Sequence, residues 1–304
     1  MRDAFCKGMV ALGAAHPFVF LTGDLGFKAL EPLRDSLGPR FINAGVAEQN
    51  MVSVAAGLAA DGQPAWVYSI APFIYARPFE QIRNDVCMHN LDVKLVGNGG
   101  GYAYGSMGAT HHALEDYGVL LTLRHMRAYI PAFDEDVAAV LASMAARRHP
   151  SYLRLGRGEP PAGSTPPSYA PWRMLVDGAG PVLVAVGPLA GSLWSACLGL
   201  PRERRPQLWA LSELPLADCP PPEALLASLA GSGELAVVEE HVAQGGAGQA
   251  LAAWLMEAGR APARFRHFSA RGYPSGNYGS QSFHRAENGL DAASVLRAMG
   301  RLAP

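Results

Sequence analysis

Cysteine and charge are both scarce in this chain. Its four cysteines, Cys6, Cys87, Cys197 and Cys219, stand far apart, with no C-x-x-C pair and no clustered histidines. That spacing indicates neither a disulfide framework nor a zinc site, and reads as buried thiols of a reducing compartment. Charged residues make up 17% of the chain, and 25 Lys plus Arg stand against 26 Asp plus Glu, a formal charge of -1. A chain so balanced has no overall field to hold phosphate backbones or anionic lipid, so neither nucleic acid nor a membrane is an expected partner. No uninterrupted apolar run reaches the roughly 18 residues of a membrane span. Arg2, Asp3 and Lys7 place charge where a secretory leader needs its apolar run, so the expected location is the cytoplasm.

Apolar side chains are in excess, 49% of 304 residues, enough for sizeable cores in about two domains. The 34 Gly and 24 Pro come with abundant Ala, Leu and Val, which is not a disordered composition. Low charge with high apolar content fits surface buried in an assembly, and equally a bias of base composition.

Short apolar runs at residues 18–21, 65–68, 93–96 and 152–155 are bounded by Gly, Pro or Asp and read as buried strands. Between them, Met51, Val54, Ala55, Leu58 and Ala59 form a helical stripe that stops at Asp61-Gly62, and residues 79–89 and 134–147 are further helix candidates. Alternation of this kind predicts an α/β fold, a mostly parallel sheet flanked by helices. Five prolines between Gly156 and Pro171 break both periodicities and mark a linker. A second alternation follows, with strands at 182–186, 208–211 and 235–238 and helices near 190–198, 222–229 and 248–258. The expected organisation is two consecutive α/β domains, 1–160 and 176–304, joined by a Pro-rich linker at 161–175.

Three segments could carry chemistry. Glu48 opens an otherwise apolar helix, where a carboxylate either caps free amides or faces an interface. Residues 68–82 gather aromatics and Arg77 around a strand-to-helix turn, either as core plugs or as a flat platform for a heterocycle. Gly97 to His112 is Gly-rich and ends in two histidines, which reads either as a surface loop or as a ligand approach with a proton donor near neutral pH.

The order G-V-A-E-Q-N-M (45–51), S-I-A-P-F-I-Y-A-R-P-F-E-Q-I-R-N (69–84), G-S-M-G-A-T-H-H-A-L-E-D (105–116) and P-S-Y-L-R-L-G-R (150–157) resembles the pyrimidine-binding domain of transketolases, which use thiamine diphosphate. Val237 to His241 with Gly245-Gly246 resembles the C-terminal domain of the same family. The resemblance implies that Glu48 bonds N1′ of the cofactor's aminopyrimidine and that Phe73 stacks on that ring, with Tyr75 and Phe79 as further members of the pocket. It implies that Asp24 is an interface acid near the cofactor, that His111 bonds the substrate's carbonyl or the developing alkoxide, and that Arg2 and Arg157 hold a substrate phosphate.

Three positions depart from the family pattern. Met107 stands where an acid contacts a substrate hydroxyl, His112 where a Gln follows the motif's His, and Gly99 to Gly101 where the upstream loop carries a phosphate-binding His. An apolar or deoxygenated group in the substrate is the expectation at Met107. No G-D-G motif for Mg²⁺ and diphosphate occurs in the chain. The resemblance is therefore to the C-terminal subunit of a split-gene transketolase, and it implies an N-terminal partner that supplies the metal site, assembled as α₂β₂. A 2-oxo acid dehydrogenase β subunit, a 1-deoxyxylulose-phosphate synthase and a non-catalytic partner subunit are the rival expectations. The helix behind Glu48 and the surface around Phe73 are expected to face another chain.

Overall fold

Apolar runs with no polar alternation belong in strands covered on both faces, and here they form the middle of two sheets. A computed structural model describes residues 1–26 and 28–303. Its strands are β1 (Val19–Thr22), β2 (Phe41–Asn43), β3 (Ala65–Ile70), β4 (Val93–Asn98), β5 (Arg127–Tyr129), β6 (Ser151–Leu155), β7 (Trp172–Val176), β8 (Val182–Val186), β9 (Gln207–Leu211), β10 (Glu213–Leu214), β11 (Glu234–Val242) and β12 (Arg264–Ala270). Among the described residues the first sheet runs β10-β5-β6-β4-β3-β1-β2 and the second β12-β11-β8-β9-β7. Among the named strands of the described residues, only the β10–β5 and β7–β9 pairs are antiparallel.

Period two along the central strands sends neighbours to opposite cores. Leu21, Val67 and Leu95 pack with Met51, Val52 and Ala55 of the helix Glu48–Ala60. Phe20, Trp66 and Val96 pack on the other face with Phe5, Met9 and Leu12 of the helix Arg2–Ala15. The buried side of Glu48–Ala60 is therefore Glu48, Met51, Val52, Ala55 and Ala56, and the expected stripe is rotated. Val54 lies on the far side of that face, 41% exposed.

The expected helix at 79–89 is a short helix, Phe79–Gln81, running into a π-helical turn, Ile82–Cys87. Ser53 Oγ donates to Asp85 at 2.8 Å and ties that turn to the helix Glu48–Ala60. Residues 156–171 hold no helix or strand, and β7 begins at Trp172, inside the range expected to be linker, because Trp172, Leu175 and Val176 are buried. The later half also lends β10 to the first sheet, with Leu214 paired to Ala128.

A buried polar network joins the halves. Arg154 pairs with Asp116 at 3.0 Å and donates to the carbonyls of Ala113 and Glu240 at 2.8 Å each. Glu240 accepts from Arg285 at 2.8 Å and from the Tyr102 amide at 2.9 Å. Glu239 accepts from the Tyr117 hydroxyl, the Ala247 and Gly248 amides and the His267 ring. Burial opposes charge on Glu239 and Glu240, but these donors outweigh it and hold both carboxyls below the ordinary range. Arg173 and Asp136, each 2% exposed, make two bonds of 2.6 Å.

Candidate active site

Ligands of parallel sheets gather where loops leave the carboxyl ends of the strands. The candidate residues lie on the segments that leave those ends: Asp24 after β1, Glu48 at the start of the helix after β2, Phe73 in the short helix Ala71–Tyr75 after β3 with Arg77 just beyond it, Met107 and His111 after β4, and Arg157 after β6.

Glu48 is the first residue of its helix and is 4% exposed. Its carboxylate accepts from Ser69 Oγ at 3.4 Å and from Arg77 Nη1, which lies 3.0 and 2.9 Å from the two oxygens. The same guanidinium lies over the Phe73 ring, 3.7 Å from its centroid. Phe73 meets the His111 ring edge-on at 5.3 Å. His111 Nδ1 is 2.9 Å from Thr110 Oγ1, and its ring is 5.7 Å from that of Tyr104. One contiguous group thus contains Glu48, Arg77, Phe73, His111 and Tyr104.

Tyr104 carries the group into a cavity of about 350 Å³ lined by Arg2, Asn98, Gly99, Asp134 and Arg157. Asn98 Nδ2 donates to the Tyr104 hydroxyl at 2.9 Å. Burial pushes that hydroxyl's pKa up, and Asn98 works the other way. Gly99 makes the placement possible: at φ 77 it sits so close that a Cβ would be 2.1 Å from the Tyr104 ring. Asp24, at φ 56, exchanges hydrogen bonds with Asn43 at 2.9 and 3.1 Å and lines a neighbouring cavity of about 360 Å³. Gly23 beside it comes close to Glu48, since a Cβ there would lie 3.6 Å from Oε1. Met107 is 54% exposed on the loop that also presents His111.

The remaining expected aromatic and imidazole residues, Tyr75, Phe79 and His112, stand outside this group. Tyr75 is buried in the core, and its hydroxyl donates to Glu115 at 3.0 Å. Phe79 is half-buried at the start of its short helix and, among the described residues, makes no ring contact with Phe73 or His111. His112 is buried, with Nε2 donating to the Gly105 carbonyl and Nδ1 accepting from the Tyr273 hydroxyl, both at 2.9 Å. Burial first, and His284 second, hold its pKa below the ordinary histidine value. Asn98 and Tyr104 were not singled out from the sequence; the aromatic inside the Gly-rich loop was the available signal. Arg77 stands out in the sequence only as the cation among the aromatics of residues 68–82, with no contact to Glu48 implied.

Residues 1–162 match the family described as transketolase, pyrimidine binding domain. This chain belongs to the transketolase family. An apulose-4-phosphate transketolase subunit from Actinobacillus succinogenes is 30% identical over 273 residues, 88% of this chain and 86% of that one. The 1-deoxy-D-xylulose-5-phosphate synthase of Myxococcus xanthus is 32% identical over 280 residues, covering 89% of this transketolase-family chain but 46% of the synthase. Among solved structures, a split-gene transketolase described as an inactive β4 tetramer superposes with a TM-score of 0.81 at 29% identity, over 99% of this chain and 96% of the other. A transketolase from Leishmania mexicana shares the fold, with a TM-score of 0.78 at 21% identity. The family implies thiamine diphosphate as cofactor. Among the described residues of this transketolase-family chain, no group of three His, Cys, Asp or Glu could hold a metal ion, and no helix is long and apolar enough to cross a membrane.

Proposed function

We propose that this chain is the aminopyrimidine-binding subunit of a thiamine diphosphate enzyme that moves a two-carbon ketol unit from a ketose phosphate to an aldehyde. The observation that carries this reading is the buried Glu48 carboxylate set beside the Phe73 ring, with a flat nitrogen-bearing group, the Arg77 guanidinium, already fitting against both. The residues therefore suit an aminopyrimidine. When bound, thiamine diphosphate supplies a nucleophilic carbon and an electron sink for cleaving a carbon–carbon bond beside a carbonyl. Glu48 would hold the pyrimidine edge by accepting a hydrogen bond from a protonated ring nitrogen, and Phe73 would offer it an aromatic face. We assign to His111, which meets the Phe73 ring, the donation to the substrate oxygen as charge develops there. Arg2 and Arg157 are our candidates to hold a phosphate in the cavity beside Tyr104, which Asp3 and Asp134 also line, Asp134 being paired with the Met1 amine at 2.7 Å. Met107 offers packing in place of a hydroxyl contact. Asp24 belongs to the edge of the site, Tyr75 and Phe79 support it from outside the ring contacts, and His112 holds the loop carrying His111 through Gly105.

Diphosphate and Mg²⁺ need hard oxygen ligands, which we assign to an N-terminal partner subunit in an α₂β₂ assembly. Val46, 73% exposed, with Val54 and Met88 provides apolar surface for such an assembly. The apulose-4-phosphate transketolase relatives, themselves named as single subunits, support the same division of labour. Identity to 1-deoxy-D-xylulose-5-phosphate synthases favours a second reading, in which a 2-oxo acid is the donor and is decarboxylated. Ketol-transfer and pyruvate-decarboxylation assays on the chain with its partner separate the two. In either, near-normal turnover by Glu48→Gln would remove the assignment of Glu48.

A further inference from the structure

We propose that Arg77 is a resident stand-in for the aminopyrimidine, so that cofactor enters this half-site by exchange with an arginine rather than by filling open space. The inference rests on the cofactor reading above. An aminopyrimidine presents a flat face and an edge of nitrogens joined through carbon, and a guanidinium presents the same two features on a smaller scale. In this structure both recognition elements are satisfied at once by Arg77: its nitrogen bridges the two Glu48 oxygens at 2.9 and 3.0 Å, and its carbon lies 3.7 Å from the centroid of Phe73. The guanidinium and a ring stacked on Phe73 while bonded to Glu48 cannot share that space.

The two members of the pair differ in freedom. The Glu48 side chain is 3% exposed and packed beneath the loop after β1, whereas Arg77 is 43% exposed. A buried carboxylate without a partner is strongly unfavourable, so the pair keeps Glu48 compensated while the site waits. Arg77 stands at the surface between Ala76 and Pro78, and the following proline narrows its backbone, so the long side chain carries the motion. Arg77 leaves and Glu48 stays, with no rearrangement of the core.

The test is calorimetric titration of thiamine diphosphate with Mg²⁺ into the complex of this chain with its diphosphate-binding partner. Arg77→Ala is expected to tighten binding by about tenfold, by removing one ion pair and one cation–π contact from the competing state. Arg77→Lys is expected to tighten it by about threefold, because an ammonium keeps the ion pair but not the plane. It also serves where the Ala variant fails to fold. The gain should vanish in the Glu48→Gln background. Unchanged or weaker binding in Arg77→Ala, with Glu48→Gln and Phe73→Ala both weakening binding, overturns the exchange and leaves the cofactor reading standing. If Glu48→Gln and Phe73→Ala also leave affinity unchanged, the cofactor reading falls and the exchange with it.

Discussion

Two carboxylate–guanidinium pairs in this molecule look alike in chemistry and differ in burial. Asp136 and Arg173 are each 2% exposed, joined by two bonds, and Asp136 also accepts from the Ala132 and Phe133 amides. Glu48 is equally buried, but its arginine is 43% exposed and rests on an aromatic face. In the first pair neither charge can leave without stranding the other in a medium that does not solvate it. In the second, one partner has water within reach, as the proposed exchange with a ligand of similar shape requires. On the proposed function the difference separates a fastening from a site, and substitutions at the two pairs should divide in the same way.

The largest expected effect is at the site. Glu48→Gln in the assembled enzyme should lower kcat by about a thousandfold, within the range for loss of a group that controls a proton, while the unfolding midpoint moves little. Next, Asp136→Ala should cost about 3–5 kcal/mol in urea unfolding, because Arg173 is left buried and unpaired, with cofactor affinity of the folded fraction unaltered. If the two substitutions exchanged effects, the distinction between the pairs would fail. Phe73→Ala should weaken thiamine diphosphate binding by roughly tenfold in titration calorimetry and leave stability nearly unchanged, since the ring is only half-buried.

The smallest effect concerns pH. Unfolded, His112 takes a proton near its ordinary 6.5, whereas burial and His284 hold its folded value lower. Below that ordinary value the unfolded chain binds more protons, so stability falls with pH from about 6.5 down to the folded value. His149 adds to the same slope through its own burial. Urea unfolding across this window should therefore show a shallower slope in His112→Gln than in the parent, and equal slopes would place His112 elsewhere. Glu239 and Glu240 act in a lower window: their contribution is present above the ordinary 4.5 and is lost as pH falls through their depressed folded values.

The central elements of both sheets were legible in the sequence because runs such as 65–68 and 182–186 are too apolar to lie anywhere but inside. The strand Arg264–Ala270 was not, since its charged, half-exposed residues suit the edge it occupies and carry no apolar run. The motif order placed Glu48, Phe73 and His111 in one site, and the structure brings them together around Arg77. What spacing could not separate was neighbouring residues of similar type. His111 and His112 differ by one position, yet one meets Phe73 and the other is enclosed by Gly105 and Tyr273. Tyr75 sits two residues from Phe73 and turns into the core. The contact of Arg77 with Glu48 and Phe73 depends on a side chain folding back across its own turn, which no periodicity records.

The central claim is that this chain holds only the pyrimidine half of a cofactor site. Titration of thiamine diphosphate with Mg²⁺ into the chain alone, and then into the chain with its partner subunit, tests it most directly. The account expects little or no binding to the chain alone and tight, Mg²⁺-dependent binding by the assembly; tight Mg²⁺-dependent binding by the isolated chain would contradict it.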